Sequence, residues 1–277
     1  MLIRIVSILF PLFAITALGY FVGRRMKPDL SHANKLNMDV FVPALVFGAL
    51  VSKDFRLGEY LPLLFATVVI IVGSGVAGWL VARAAGIAPK TLVPPMMFNN
   101  CGNLGLPLAV LAFGESALAP AVVMFVVSNV IHFSYGAWLL DHHTKLTTVW
   151  RSPSILATIA GLAVGLLGIE VWPPLLMSIK MVGDISIPLM LFALGVRLAD
   201  SRISAVGFGV FGAVLRPVVG MALAWVLLQT LDLPPAVLNY MFAERYNQEP
   251  DKVASMVLIG NLAAVVFLPL ALALVLD

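Results

Sequence analysis

The sequence predicts an all-α integral membrane protein of ten transmembrane helices, arranged as two inverted repeats of five. Three observations lead there. Hydrophobic residues make up 61% of the 277-residue chain and charged residues only 11%, with a mean hydropathy of +1.03, far from the composition of a soluble domain. Apolar runs of about the 20 residues that cross a 30 Å hydrocarbon core recur from end to end. Finally, four residues of one run reappear in the same spacing 145 residues later.

The runs fall at 2–22, 32–50, 60–83, 91–113, 117–140, 152–169, 173–197, 204–230, 234–247 and 252–276. Runs of this length are helical, because a membrane barrel shows alternating segments of about ten residues instead. The first run is kept as a true helix: it leads into "GRRMK" rather than a small-residue cleavage site. Twelve of the seventeen basic residues fall on the side of the gap after span 1. The positive-inside rule therefore places both termini on the non-cytoplasmic face of the cell membrane. The lone Cys101 allows no internal disulfide, and a net charge of +3 calls for no nucleic acid partner.

Span 2 reads "KLNMDVFVPALVFGAL" and span 7 reads "KMVGDISIPLMLFALG". Lys35, Asp39, Pro43 and Phe47 match Lys180, Asp184, Pro188 and Phe192 at a constant offset of 145. A second echo sets "PPMMFNN" of span 4 against "PPAVLNY" of span 9, and with it Asn99 against Asn239. Residues 1–151 are thus expected to form a first five-helix repeat and 152–277 a second. An odd number of spans per unit inverts the second copy, the arrangement typical of secondary transporters, whose ligands sit at the midplane between interrupted helices.

Span 4 carries the interruption, "MMFNNCGNLGLP". Gly102 and Gly105 weaken the helix. Pro107 suits the first turn of a new one, and Asn99, Asn100 and Asn103 can satisfy backbone groups that a break exposes. A break at the midplane turns free N–H groups and the positive pole of a half-helix toward a cavity, which favours an anion. A packing kink is the alternative, since glycine and proline are common in membrane helices.

Ionisable residues inside spans are functional candidates. In span 7, Asp184 lies near mid-depth with Lys180 one turn before it, either a structural ion pair or a site that takes up a proton or cation. Asp39 with Lys35 is the mirrored pair in span 2, nearer the cytoplasmic end. Arg216, deep in span 8, either neutralises a buried acid such as Asp184 or attracts a carboxylate. Glu244 closes span 9 beside Arg245 at a solvated rim. Asn129 in span 5 and Asn261 in span 10 line a cavity or bridge helices. His132 reads as a packing residue, and His142 and His143 are loop neighbours that make no metal site by themselves.

The segments "NCGNLGLPLAV", "VFVPALVF", "GDISIPLMLFALG" and "YMFAERYNQEPDKVAS" resemble the auxin efflux carrier family, which takes in plant auxin exporters and bacterial permeases for malate, malonate and related acids. The resemblance covers essentially the whole chain. It implies that spans 4 and 9 cross at their breaks beside the substrate, that the protein is a homodimer, and that a transport domain moves elevator-fashion against a scaffold. By position, Asn100 is the motif asparagine and Asn239 lies at the break of span 9. Asp184 resembles an aspartate at the same place in plant members. Those members tend to have proline where this chain has Asn99 and Asn239, so the break here suits a smaller, more hydrophilic acid. Their long cytoplasmic loop is absent.

The expected function is secondary transport of a small organic carboxylate. Asn99, Asn100, Gly102, Asn103, Gly105, Pro107, Asn239 and Tyr240 form the expected binding set, and Asp184, Lys180, Arg216, Asp39 and Glu244 serve coupling or charge relay. The expected partners are the organic acid, the lipid bilayer and a second copy of the chain. No cofactor or metal is expected, and the coupling ion is a proton or sodium. No GxxxxGK[ST] nucleotide motif is present, nor any nucleophile with its base, so an enzyme is not expected. The alternatives are a bile-acid-type sodium symporter and a membrane ligand sensor.

Overall fold

The computed structural model describes residues 2–51, 57–98, 101–136, 151–200 and 205–231. Every regular element among them is helical. Spans 9 and 10, and with them the pairing of span 4 with span 9, lie outside the described residues.

Span 1 is α1, Leu2–Met26, which runs unbroken past Pro11. Lys27 turns the chain in the left-handed region (φ 47°). Asp29 then accepts the hydroxyl and the backbone N–H of Ser31, bonds that hold its carboxyl below the usual range. Span 2 follows as α2 (Ser31–Leu36), a π turn (Asn37–Phe41) and α3 (Val42–Leu50). Span 3 is α4, Leu57–Ala85. Span 4 is divided into α5 (Pro89–Met97), a second π turn (Cys101–Gly105) and α6 (Leu106–Phe113). Span 5 is α7, Leu118–Ile131, prolonged by a third π turn, His132–Gly136. Span 6 is α8, Pro153–Leu166. Span 7 consists of α9 (Pro173–Asp184) and α10 (Ser186–Asp200), which meet at Ile185. Span 8 is α11, Val206–Leu231.

Among the described residues five stretches are long and apolar enough to cross a bilayer: Val6–Met26, Tyr60–Ala85, Glu115–Gly136, Pro173–Asp200 and Val206–Leu227. The other three expected spans fall short by length or continuity. The 14 residues of α8 reach only about 21 Å at 1.5 Å per residue, and spans 2 and 4 are interrupted.

Prolines cause the interruptions. A proline offers no N–H to the preceding turn and its ring presses on the carbonyl there. The first two π turns end two residues before Pro43 and Pro107, which take the first positions of α3 and α6. An extra residue in the turn relieves the clash without ending the span. In span 7 the same constraint, from Pro188, gives a break at Ile185 instead.

Inside a membrane, helices gain nothing from leaving one apolar medium for another, so close approach through small residues must hold them together. The α1–α10 pair shows this most strongly. A Cβ added at Gly195 would lie 1.9 Å from the Thr16 carbonyl oxygen, and one at Gly19 would lie 2.1 Å from that of Phe192. One turn on, Gly23 faces Val196 and Ala199. The α3–α8 pair uses glycines too, at ordinary contact distances from the facing backbone, with an added Cβ at Gly161 3.6 Å from Cα of Phe47 and one at Gly165, a turn further on, 3.5 Å from the Leu50 carbonyl oxygen. Phe47 and Phe192, matched by the 145-residue offset, thus each back onto the first glycine of a Gly-x-x-x-Gly run. Gly183 of α9 brings that helix onto the backbone of Ala44 and Leu45 in α3.

The remaining helices gather around α4. Gly75 and Gly78 admit Met97 and Met96 of α5, while Gly73 meets Leu223 of α11. The main apolar core joins α3, α4, α6, α7, α10 and α11 through residues such as Val46, Ala66, Leu106, Val122 and Met190. A second cluster packs Leu12 of α1 and Leu191 of α10 on Leu104 and Leu108. Span 4 is therefore enclosed on several sides.

Replacing Gly195 by alanine should lower stability by about 1–3 kcal/mol, the usual penalty of overpacking. Gly207 has nothing within 4 Å of an added Cβ, so Gly207→Ala should be neutral or gain up to about 1 kcal/mol from helix propensity. Thermal melting of the two purified variants in one detergent checks this, and equal midpoints would refute the close-packing account.

Candidate functional site

The break in span 4 begins at Phe98. This residue leaves the helix with extended angles (φ −107°, ψ 122°), yet its side chain is only 1% exposed. Its ring is stacked on the His132 imidazole, with centroids 4.3 Å apart and planes 10° from parallel. A Cβ at Gly136 would come within 2.7 Å of the same ring. His132 and Gly136 lie one turn apart, so the third π turn holds Phe98 from one side.

Its main chain is held from elsewhere. The carbonyl oxygen of Phe98 accepts a long hydrogen bond, 3.4 Å, from Nη2 of Arg216. That oxygen lies at the C-terminal end of α5, where helical carbonyls lack partners and the helix dipole is negative. The half-buried guanidinium supplies both a donor and a compensating charge. Arg216, expected to neutralise a buried acid or to attract a carboxylate, meets a backbone carbonyl of the break.

Beyond the break, the π turn carries Gly102, Asn103 and Gly105. An added Cβ on Gly102 would be 3.0 Å from the Phe125 ring and 3.9 Å from the Met190 sulfur. Gly102 thus lets the turn lie directly against α7 and α10. Pro107 is buried in the first turn of α6, as its chemistry predicts. Phe125, Asn129, His132 and Gly136 follow one another at intervals of four, three and four residues, so they share one stripe of span 5, the stripe that faces the break. Asn129 is half-buried on it.

Asn99, Asn100, Asn239, Tyr240, Glu244 and Asn261 lie outside the described residues. The charged pairs of spans 2 and 7 are placed apart from the break. Lys180 and Asp184 in α9, and Lys35 and Asp39 before α3, are all exposed. None of these four forms an ion pair among the described residues. The Lys180 stem lies over α3, 3.4 Å from where a Gly48 Cβ would be. Among the described residues no group of histidine, cysteine or acidic side chains could hold a metal.

Sequence reasoning missed Phe98 as the anchor of the break; His132, read as a packing residue, packs on its ring. The four-residue spacing of His132 and Gly136 was the available signal, though it does not say which ring fills the space.

The chain matches the family model described as "Membrane transport protein" over residues 4–149 and 142–272. A protein of Rhizobium meliloti (strain 1021), provisionally named a malonate transporter, is 27% identical over 299 aligned positions, which take in 95% of this chain and 93% of that one.

Truncating Arg216 to alanine leaves the Phe98 carbonyl without that donor, in a place where water is scarce. A loss of about 1–3 kcal/mol is expected, and Arg216→Lys, which keeps a charge and a donor, should recover part of it. Melting of both variants provides the check; an alanine variant as stable as the unmodified protein would remove Arg216 from the support of the break.

Proposed function

The chain belongs to the membrane transport protein family, and from that premise we propose that it carries a small organic dianion of the malonate class across the membrane, with the carboxylates bound at the break of span 4. Its assignment as a transporter rather than an enzyme follows from the family itself. The finer reading rests chiefly on one observation: a half-helix that ends inside an apolar bundle at Phe98, with asparagines next in sequence and a new helical segment behind them. The name of the Rhizobium meliloti relative points to the same class of acid.

The chemistry fits. The segment from Cys101 into α6 presents the positive end of its dipole toward the break, which favours a carboxylate placed there. Asn99, Asn100 and, from span 9, Asn239 add amide donors that suit a short, hydrophilic acid. The two halves act as inverted repeats, with spans 4 and 9 crossing at the site. The glycine-locked pairs α1–α10 and α3–α9 serve as scaffold, while the helices around α4 and α5 move with the substrate in an elevator-type cycle.

A homodimer belongs to the proposal. Around α9 and the first π turn, Met38, Val40, Met177, Met181 and Ile185 point outward beside exposed Asp39 and Asp184. Lipid is a poor neighbour for two carboxylates, and a second copy seated on this face removes them from it. With no nucleotide site in the sequence, transport runs on a gradient. Asp184 is proposed to carry the coupling proton.

Malonate and other short dicarboxylates should raise the melting midpoint of the purified protein, because a ligand that binds only the folded state stabilises it. Monocarboxylates and bulky aromatic acids should have less effect, and Asn100→Ala should melt normally but lose the response. Stabilisation of Asn100→Ala equal to that of the unmodified protein would rule out the span 4 site. No response to any acid in folded protein would rule out the substrate class.

In proteoliposomes with an imposed pH gradient, Asp184→Asn should lose gradient-driven uptake while retaining substrate binding. Unchanged pH dependence in that variant would remove Asp184 from coupling.

A further inference from the structure

Along α4 lies an open groove of about 640 Å³. Val68, Val72, Val76 and Trp79 of α4 form one wall at spacings of four, four and three residues, a single helical stripe. Each of these side chains is 40–54% exposed. The floor is Met97, the last residue of α5, seated on Gly75. Ile131 and Tyr135 of span 5 close the far side.

The groove is apolar along its length and basic at one end. Lys90 lines that end. Arg83, one turn beyond Trp79, lies with its guanidinium carbon 5.2 Å from the centroid of the Trp79 ring, a cation–π contact that fixes the charge beside the groove. Between Glu59 and Glu115 the chain contains no acidic residue, and Arg83 and Lys90 are its only charges. The nearest carboxylates in sequence, Glu59 and Glu115, are thus 24 residues before Arg83 and 25 after Lys90.

The dimensions match one leaflet. From Val68 to Trp79 the stripe covers about 16 Å at 1.5 Å per residue, against about 15 Å for half of a 30 Å hydrocarbon core. Trp79 at the basic end stands where tryptophan favours the membrane–water interface. We propose that this groove is a binding site for an anionic phospholipid, its phosphodiester held by Lys90 and Arg83 and one acyl chain lying along the valine stripe. Basic pockets between membrane helices are suited to such headgroups. The lipid presses on Met97, the residue before Phe98, so its occupancy bears on the α5 side of the break. The inference stands whichever solute is carried.

The test uses the purified full-length protein in a neutral detergent with phosphatidylglycerol, phosphatidylcholine or soluble glycerol phosphate added. Phosphatidylglycerol should raise the melting midpoint by on the order of 5 °C at saturation, and native mass spectrometry should show it retained in preference to phosphatidylcholine. Lys90→Gln combined with Arg83→Gln should reduce the shift to that of phosphatidylcholine. Val76→Trp, which fills the groove and keeps both charges, should do the same. Equal shifts for the two lipids in the unmodified protein would overturn the site. So would a preference that survives either variant, or an equal response to glycerol phosphate, which would make the ligand a free phosphate ester.

Discussion

A polypeptide inside hydrocarbon has to satisfy its own backbone, since an N–H or C=O left bare there costs several kcal/mol. Most of this molecule meets the constraint with long helices, and the rest of its organisation follows from the place where it does not. Span 4 stops being helical at Phe98, and that residue is almost wholly buried. An interrupted backbone is tolerated at such depth only when protein encloses it or a wet cavity solvates it. Here α4, α7 and α10 enclose it, and α11 contributes a cation to the exposed carbonyl.

Enclosure in turn depends on how near helices can come. Glycines in α1, α9 and α10 bring backbones to distances that any side chain would prevent, forming two tight pairs, α1–α10 and α3–α9. Around α4 the contacts are of another kind. Methionines 96 and 97 fit over Gly78 and Gly75, and methionine is the most adaptable of apolar side chains. Backbone locked on backbone resists sliding, whereas flexible side chains over small residues permit it. The division proposed between scaffold and moving helices coincides with this difference in packing.

Much of the fold could be read from the sequence, and what escaped did so for physical reasons. Span 3, expected at 60–83, is a helix from Leu57 to Ala85. Span 7, expected at 173–197, ends at Asp200. The break was visible because asparagine, glycine and proline rarely coincide in an apolar run. The π turns were not: a proline dictates that one hydrogen bond is lost, while neighbouring helices decide whether the chain answers with an extra residue or a kink. The exposed face of Asp184 was not legible either, since helical phase has meaning only against a packed neighbour. Likewise nothing local links Arg216 to Phe98, 118 positions away.

That contact also resolves a difficulty with placing an anion at a helix break. Two half-helices meet there with opposite poles. The segment entering α6 offers its positive end, while α5 offers a negative one, roughly half an elementary charge, at Phe98. At about 5 Å and an effective dielectric constant of about 20, that pole repels a unit negative charge by about 2 kcal/mol. Such a penalty corresponds to more than a tenfold loss of affinity. A neutral cap could satisfy the carbonyl but would leave the repulsion in place. The guanidinium of Arg216 satisfies the carbonyl and offsets the pole together, so in the site proposed above the break acts on a carboxylate mainly through its positive side. On that proposal the same residue serves stability and selectivity for anions without having to touch the substrate.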